Sequence, residues 1–234
     1  MNKHNVKLDN RLKMCASFVR QDAKLVDVGT DHAYLPVWLL QNNIINSALA
    51  VDINSEPLNR GFATIEKYNA QEKIKTRLSD GLESVKREEC TDIVIAGMGG
   101  ELILSIIDEC NWLLDNNINL ILQPMTRPEV LREYLYDHNF EILSEKAVES
   151  ENKLYSVINC VYHKGMIKKF KITDLYLGKL NPNKNIIDKL YVEKLLNSLN
   201  RKKLGLEKSS NRASLKNIEN LIQKISDCIV DIDK

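Results

Sequence analysis

The 234-residue sequence lacks long apolar runs: no stretch reaches the ~18 consecutive apolar residues that a membrane-spanning helix needs. Its first residues lack the apolar segment of a secretory signal. No Cys-x-x-Cys pair occurs among the five cysteines, and the four histidines do not cluster with them, which argues against a zinc site. Repeats and low-complexity tracts are also absent. We therefore expect a cytoplasmic globular monomer with free thiols, no metal and no membrane contact.

The charge distribution divides the chain into two parts. Residues 1–163 hold 17 basic and 24 acidic residues, a net charge of −7, whereas residues 164–234 hold 16 and 8, a net charge of +8. An acidic body with a basic end favours a small ligand in the first part and a polyanion at the second. We predict a ligand-binding domain over 1–165 and a basic helical domain over 166–234.

Short apolar strands alternate with helical segments in the first part, which predicts an α/β fold with a mostly parallel, doubly wound, Rossmann-like sheet. Two further strands joined by a polar turn predict an antiparallel end of the sheet. The predicted strands are 24–28, 48–53, 73–78, 92–96, 119–123, 140–148 and 153–163. The predicted helices are 7–20, 34–41, 56–68, 101–112 and 128–139.

The basic end predicts two long helices, 184–206 and 210–231, in an antiparallel, coiled-coil-like hairpin. Apolar residues of the second helix step by three and four, as in an a/d seam. That seam consists of Leu215, Ile218, Ile222, Ile225 and Ile229, and the facing residues are Ile187, Tyr191, Leu195 and Leu199.

The turn after the first strand holds carboxylates where a dinucleotide-binding loop has glycines. Gly29 fills the first glycine position, but Asp31 stands at the second and Ala33 follows. A carboxylate there repels a diphosphate and attracts a cation. Asp27 and Asp31 therefore favour S-adenosylmethionine over NAD, and Thr30 and His32 of the same turn are further candidates for contact with it. The alternative is that Asp27 only organises the turn.

Acids also end the second and third strands. Asp52, followed by Ile53 and Asn54, suits the two ribose hydroxyls of a nucleoside, and Ser79-Asp80-Gly81 suits the edge of its adenine. The alternative is that Asp52 and Asp80 are helix N-caps. Because the ends of parallel strands meet at one edge, three acids there favour a ligand site.

The fourth strand ends in a glycine-rich loop that contains Gly97, Met98, Gly99 and Gly100. Such a loop permits a close approach of backbone to ligand. In one interpretation, the loop borders the reacting methyl group and a flat base. In the other, it only forms a tight turn into the next helix. Gln123-Pro124 ends the fifth strand and is the nearest amide side chain for reading a base.

Three motifs carry a family resemblance: DVGTDHAYLP at 27–36, AGMGG at 96–100 and LILQP at 120–124. Together they resemble the bacterial tRNA (adenine(22)-N1)-methyltransferases, class I S-adenosylmethionine-dependent enzymes with a helical C-terminal domain. The resemblance covers nearly the whole chain. Met125 departs from it, because the family often has Asn after Gln-Pro. The resemblance implies methylation of N1 of adenosine 22 in tRNA.

For that reaction we predict catalytic roles for three residues of the first turn. Asp31 stabilises the cationic product base or holds the ammonium group of the donor. His32 takes a proton from the N6 amino group or stabilises the turn. Tyr34 stacks on or hydrogen-bonds the base, and Pro36 follows it in the motif. Adenine N1 must be unpaired to react.

Cations at the predicted hairpin tip are candidates for tRNA phosphates. They are Arg201, Lys202, Lys203, Lys208 and Arg212, with Glu207 as the nearby acid. A solvated charged helix is the alternative. In helix 7–20, Arg11 or Lys13 contacts phosphate, or the helix merely covers the sheet.

Three hypotheses follow from the sequence. The first is the tRNA methyltransferase. The others are a nicotinamide-dependent oxidoreductase on the same fold, against which Asp31 argues, and a non-catalytic RNA-binding protein that binds tRNA without the methyl donor.

Overall fold

A computed structural model describes residues 5–115, 117–165, 169–208 and 212–229. Its strands are β1 (Ala23–Val28), β2 (Ile45–Asp52), β3 (Ile74–Leu78), β4 (Asp92–Gly99), β5 (Asn119–Thr126), β6 (Phe140–Ser150) and β7 (Lys153–Tyr162). Its helices are α1 (Asn10–Ala16), α2 (Tyr34–Gln41), α3 (Ser55–Lys67), α4 (Gly100–Asp108), α5 (Pro128–Asp137), α6 (Ile172–Leu177), α7 (Ile186–Glu207) and α8 (Arg212–Ser226).

The strands form one seven-stranded sheet in the order β3-β2-β1-β4-β5-β7-β6. The first five strands are parallel, and β7 is antiparallel to both β5 and β6. The predicted α/β class and antiparallel end are therefore confirmed. Because consecutive parallel strands share one direction, β1 to β5 all end at one edge, which we call the carboxyl edge.

Helices cover both faces of the sheet. Alternate residues of β1 point to opposite faces, with Leu25 in one apolar core and Val26 in the other. The first core includes Cys15, Leu35 and Ile65 from α1, α2 and α3. The second includes residues of α4, α5 and α6. The result is a three-layered domain whose parallel strands are buried on both faces.

The antiparallel end returns the chain to the carboxyl edge. Since β6 runs in the same direction as β5, the turn from β6 to β7 lies at that edge. Helix α7 docks there: the buried carboxylate of Asp188 accepts hydrogen bonds from the amides of Ala147 and Asn181, each at 2.9 Å. Lys194 Nζ donates to the carbonyl of Leu154 at 2.8 Å. The helical hairpin thus begins beside the ends of the parallel strands.

A fully buried ion pair fixes the connection between the sheet and the hairpin. Arg132 of α5 and Glu145 of β6 both have side chains with 0% exposure, and Arg132 Nη2 lies 2.6 Å from Glu145 Oε1. Arg132 also donates to the carbonyl oxygens of Leu175 and Tyr176 in α6. One guanidinium therefore joins α5, β6 and α6.

The two C-terminal helices pack together, as the sequence predicts. Their shared core contains Val192 and Leu199 of α7, Ile218 and Ile225 of α8, and Leu177 of α6. Val192 is fully buried although the predicted seam omitted it. The second helix spans Arg212–Ser226; residues 210, 211, 230 and 231 of its predicted range lie outside the described residues.

Three helix predictions need correction. Helix α1 begins at Asn10, because Asp9 caps it by accepting a hydrogen bond from the Leu12 amide at 2.7 Å, and it ends at Ala16. Helix α4 ends at Asp108, and the predicted continuation to 112 is a separate 3-10 turn, Asn111–Leu113. Helix α6 was not predicted, because its six residues are too few for a periodic pattern. Within the described ranges, every helix is too short or too polar to cross a membrane.

Candidate active site

The register of the sheet brings the predicted ligand residues to the carboxyl edge. Val28 of β1 pairs with Val51 of β2 and with Ile95 of β4, and Asp52 pairs with Leu78 of β3. The turns that follow these strands are therefore neighbours, although they are spread over about a third of the chain. This edge is the usual ligand site of such sheets.

The first turn is held against β2 by its backbone. The amides of Gly29 and Thr30 both donate to the carbonyl of Val51, at 2.8 and 3.0 Å. Gly29 has a φ of +74°, and a Cβ at this position would overlap the methyl end of Met98. The positive φ favours glycine at this position, and the Met98 side chain packs directly against it.

Asp27 is a buried carboxylate beneath this turn, with 7% exposure. The Thr30 hydroxyl donates to its Oδ2 at 2.7 Å. Burial raises the pKa of Asp27 from its ordinary 3.8 to about 6, although Thr30 and the nearby charge of Arg11 lower it. A buried acid of this kind gains from a cation placed beside it.

Asp31 is an exposed residue of the first turn and is paired, which the sequence did not indicate. Its side chain is 61% exposed, and its Oδ1 accepts two hydrogen bonds from Arg60 of α3. Arg60 also contacts Glu56 at 2.7 Å. Arg60 is a site residue that the sequence analysis missed: its i,i+4 pair with Glu56 was visible, but its contact with Asp31, 29 residues away, had no sequence signal.

His32 and Tyr34 form a stacked pair next to Asp31. Their ring centroids are 4.9 Å apart with an interplanar angle of 7°, and His32 Nε2 lies 3.4 Å from Asp31 Oδ2. Tyr34 is 42% exposed. The first turn therefore offers a carboxylate and two aromatic rings to a molecule approaching from solvent.

The acids of the second and third strands are not helix caps. Asn54 is the N-cap residue of α3, and Asp52 Oδ1 accepts from the Asn54 amide at 2.7 Å. Asp80 is exposed and is followed by a turn, and no α-helix begins there. The alternative N-cap interpretation is wrong for both. Ile53 is 57% exposed at the same edge.

Ser79 and Gly81 shape the third turn. The Ser79 hydroxyl donates to the carbonyl of Gly81 and accepts from the amide of Ser84, both at 3.1 Å. Gly81 has a φ of +50°, and a Cβ there would come within 3.1 Å of the Ile106 side chain. The hydroxyl of Ser79 is therefore used by the turn, whereas the side chain of Asp80 is exposed.

Gln123 supports the glycine-rich loop. It is fully buried, and its Oε1 accepts from the Gly97 amide at 3.0 Å and from Arg11 Nη1 at 2.8 Å. Its Nε2 donates to the carbonyl of Pro124. The sequence predicts that Gln123 reads a base, but its hydrogen-bonding groups are occupied inside the protein. Arg11 therefore links α1 to Gln123 near the end of β5.

Three other predicted substrate contacts are covered by protein. Pro36 is buried in α2, and Pro124 is buried in β5. Gly100 is buried at the start of α4, where a Cβ would overlap the carbonyl oxygen of Arg127. These positions support the loops instead of contacting a base. Gly97 and Gly99 keep exposed or partly exposed backbone, and Gly97 has a φ of +83°.

The cations of the hairpin lie at the far end of α7 and the start of α8. Four are exposed: Arg201, Lys202, Lys208 and Arg212. Lys203 is half-buried, and its Nζ lies 3.0 Å from Glu219 and 3.8 Å from Glu207. The expectation that Glu207 is the only nearby acid is wrong, because α8 brings Glu219 across the hairpin. Hydrogen bonding to Glu219 raises the pKa of Lys203.

The described part of the chain contains no group of three or more His, Cys, Asp or Glu side chains that could hold a metal ion. Four cysteines in it are buried and free, and Cys228 is free and exposed. Burial raises the pKa of the Cys15 and Cys90 thiols to about 12, so these thiols are poor nucleophiles.

Comparison with known proteins agrees with this arrangement. Residues 8–158 match the family described as "Methyltransferase domain". The chain is 35% identical to the Bacillus subtilis tRNA (adenine(22)-N(1))-methyltransferase over 155 residues, which are 66% of this chain and 65% of that enzyme.

Two solved structures extend the similarity to nearly the whole chain. A putative tRNA (m1A22) methyltransferase from Streptococcus pneumoniae is 32% identical, with a TM-score of 0.86 over 96% of this chain and 100% of that one. TrmK from M. capricolum, solved with S-adenosylhomocysteine, is 29% identical, with a TM-score of 0.81 over 97% and 100%.

Proposed function

The chain belongs to the family of bacterial tRNA (adenine(22)-N1)-methyltransferases, and from that premise we propose that it transfers the methyl group of S-adenosylmethionine to N1 of an adenosine in tRNA. The observation that carries the proposal is the pair of carboxylates at the ends of adjacent strands. Asp27 and Asp52 flank a glycine turn, where a diphosphate would be repelled and a cationic nucleoside is attracted.

The residues at the carboxyl edge fit S-adenosylmethionine. The buried Asp27 complements the charge of the donor, and Asp52 keeps a second carboxylate oxygen for the ribose hydroxyls. Asp80 faces the adenine, and the exposed backbone of Gly97 borders the methyl end. When bound, S-adenosylmethionine supplies a methyl group on a positively charged sulfur.

The target base needs positioning more than acid–base chemistry. Adenine N1 carries a lone pair in the plane of the ring, so no proton has to be removed before it reacts. We propose that Tyr34 and His32 hold the base by stacking, since they form an exposed aromatic pair. Because Asp27 is buried beneath the turn and Asp31 is exposed beside these rings, we assign Asp31 to the positive charge that develops on the base.

Arg60 is then a positioning residue for Asp31. It donates to Asp31 Oδ1 from two nitrogens and fixes the carboxylate while Oδ2 stays towards His32. We assign tRNA binding to the helical hairpin, through the four exposed cations at the far end of α7 and the start of α8. A monomer in the cytoplasm, where tRNA is available, completes the proposal.

The decisive experiment supplies isotopically labelled donor and unmodified tRNA, followed by digestion and identification of the methylated nucleoside by mass spectrometry. We expect N1-methyladenosine, and its yield falls strongly in Asp31→Asn. Binding of tRNA without binding of the donor would instead support a non-catalytic RNA-binding protein. Thermal stabilisation by NAD and not by S-adenosylmethionine would support an oxidoreductase.

A further inference from the structure

A cleft lies between the sheet and the helical hairpin, beside the proposed active site. It is lined by residues 124–129, which end β5 and begin α5, and by parts of β7 and α7. Its volume is about 390 Å³, within the ~300–1,000 Å³ range of small-ligand sites. None of the residues that the proposed function assigns to the donor or the target base lines it, whereas Lys202, assigned there to tRNA phosphates, does.

The cleft adjoins the glycine-rich loop. A Cβ on Gly99 would lie 3.3 Å from Thr126 Oγ1, and a Cβ on Gly100 would overlap the carbonyl oxygen of Arg127. Thr126 and Arg127 both line the cleft. The cleft and the glycine-rich loop are therefore neighbours.

Aromatic rings and cations line the cleft together. The rings are those of Tyr155, Tyr176 and Tyr191, and the cations include Lys194 and Lys202 of α7. Lys194 Nζ lies 6.0 Å from the centroid of the Tyr155 ring. Sites for single-stranded nucleic acid combine these two elements, because a base stacks on a ring while lysines contact the phosphates.

The two lysines carry charge that the protein does not neutralise locally. Within the described ranges, no carboxylate lies within 4.0 Å of either ammonium group. Partial burial and the charge of Lys153 lower the pKa of Lys194. An anion bound beside Lys194 neutralises its charge and opposes the lowering of its pKa. By contrast, Arg127 is already paired with Glu101 and Glu129.

We propose that this cleft binds an unpaired nucleotide of the tRNA that neighbours the target adenosine. Its base stacks on Tyr155, and phosphates of the same strand lie at Lys194 and Lys202, which are about 12 Å apart along α7. The inference rests on the proposed function and adds to it a second base-binding position, outside the site of methyl transfer.

The test measures the Kd of unmodified tRNA for full-length variants. Tyr155→Leu removes the ring, and Tyr155→Phe keeps it. Tyr162→Leu is the matched control, because Tyr162 is a partly buried tyrosine at the opposite end of the same strand. We expect Tyr155→Leu to weaken tRNA binding at least about fivefold, and the other two variants to bind like the wild type.

A fluorescent base gives a direct readout of stacking. With 2-aminopurine next to the target adenosine, fluorescence should be quenched on binding to the wild type and to Tyr155→Phe, but not to Tyr155→Leu. Lys194→Ala should reduce the dependence of log Kd on log salt by about 1, whereas Lys75→Ala, an exposed lysine on the edge strand β3, should not change it.

The affinity for S-adenosylmethionine separates the two proposals. It should be unchanged in all of these variants. If the wild type binds and methylates tRNA and Tyr155→Leu does so equally well, the cleft inference is overturned and the proposed function stands. If the wild type neither binds nor methylates tRNA, both are overturned. A loss of donor binding in Tyr155→Leu would assign Tyr155 to the fold and would also overturn the inference.

Discussion

Removal of Arg132 tests whether the buried ion pair holds the hairpin to the sheet. In Arg132→Met, Glu145 remains fully buried and keeps only the hydrogen bond from the Lys179 amide, at 3.2 Å. The carbonyl oxygens of Leu175 and Tyr176 lose their guanidinium donor. Breaking one side of a buried pair costs about 3–5 kcal/mol. That is a large part of the ~5–15 kcal/mol by which a domain is stable.

The assay is urea unfolding followed by circular dichroism, with a thermal scan in parallel. We expect the free energy of unfolding to fall by about 3–5 kcal/mol, and the melting temperature to fall by roughly 6–20 °C, since ~1 kcal/mol shifts it by ~2–4 °C in a chain of this size. The matched control is Arg87→Met, which removes the half-exposed partner of Asp115. It should cost no more than about 1 kcal/mol.

The double variant Arg132→Met/Glu145→Leu distinguishes a pair from two independent contributions. Because it leaves no buried charge unpaired, it should recover most of the lost stability. The reasoning is refuted if Arg132→Met costs less than about 1 kcal/mol, or if the double variant loses the sum of the two single losses. At temperatures where Arg132→Met stays folded, its affinity for tRNA should fall more than its affinity for S-adenosylmethionine.

Further predictions concern the donor and the tRNA. A cationic donor favours the ionised form of Asp27. The Kd of S-adenosylmethionine should therefore rise about tenfold for each pH unit below about 6 and stay constant above pH 7. In Asp27→Asn, calorimetry should show weak binding without this pH dependence. Asp52→Ala should weaken donor binding at least tenfold in the same assay, because a hydrogen bond to a charged group contributes about 1.5–3 kcal/mol; an unchanged Kd would remove Asp52 from the ribose. Arg201→Glu/Lys202→Glu should weaken tRNA binding and lower its salt dependence, with donor binding unchanged; equal tRNA affinity would remove the hairpin cations from the interface. Gln123→Leu should lower methyl transfer without eliminating donor binding, because the Gly97 amide loses its acceptor; a wild-type rate would contradict this supporting role.

The sequence predicts those features that repeat or that end an element. Short apolar runs predict the strands, and apolar residues spaced three and four positions apart predict α7 and α8. The acids after β1, β2 and β3 were assigned to one edge because parallel strands end together. Boundaries were less accurate wherever one side chain decides them, as when Asp9 starts α1.

Contacts between distant residues were not predictable from one sequence. The sequence predicts a free amide for Gln123 at the end of a strand. In the structure, Arg11, which lies 112 residues earlier in the chain, donates a hydrogen bond to its side-chain oxygen. The sequence likewise predicts a free carboxylate for Asp31, whereas Arg60 of α3 donates two hydrogen bonds to it. The partner of Arg132 was equally invisible, because an arginine in an amphipathic helix is ordinarily exposed. In each case tertiary packing decides whether a polar group faces a ligand or another side chain.

The docking of α7 has a geometric consequence. Its first turn is fixed to β6 through Asp188, and its 22 residues extend about 33 Å from there. The buried pair of Arg132 and Glu145 holds the preceding segment in place. The cations at the far end of α7 therefore keep a fixed distance from Asp188 in its first turn. Under the proposed function, this fixed distance limits which nucleotide a tRNA bound at these cations can present for reaction.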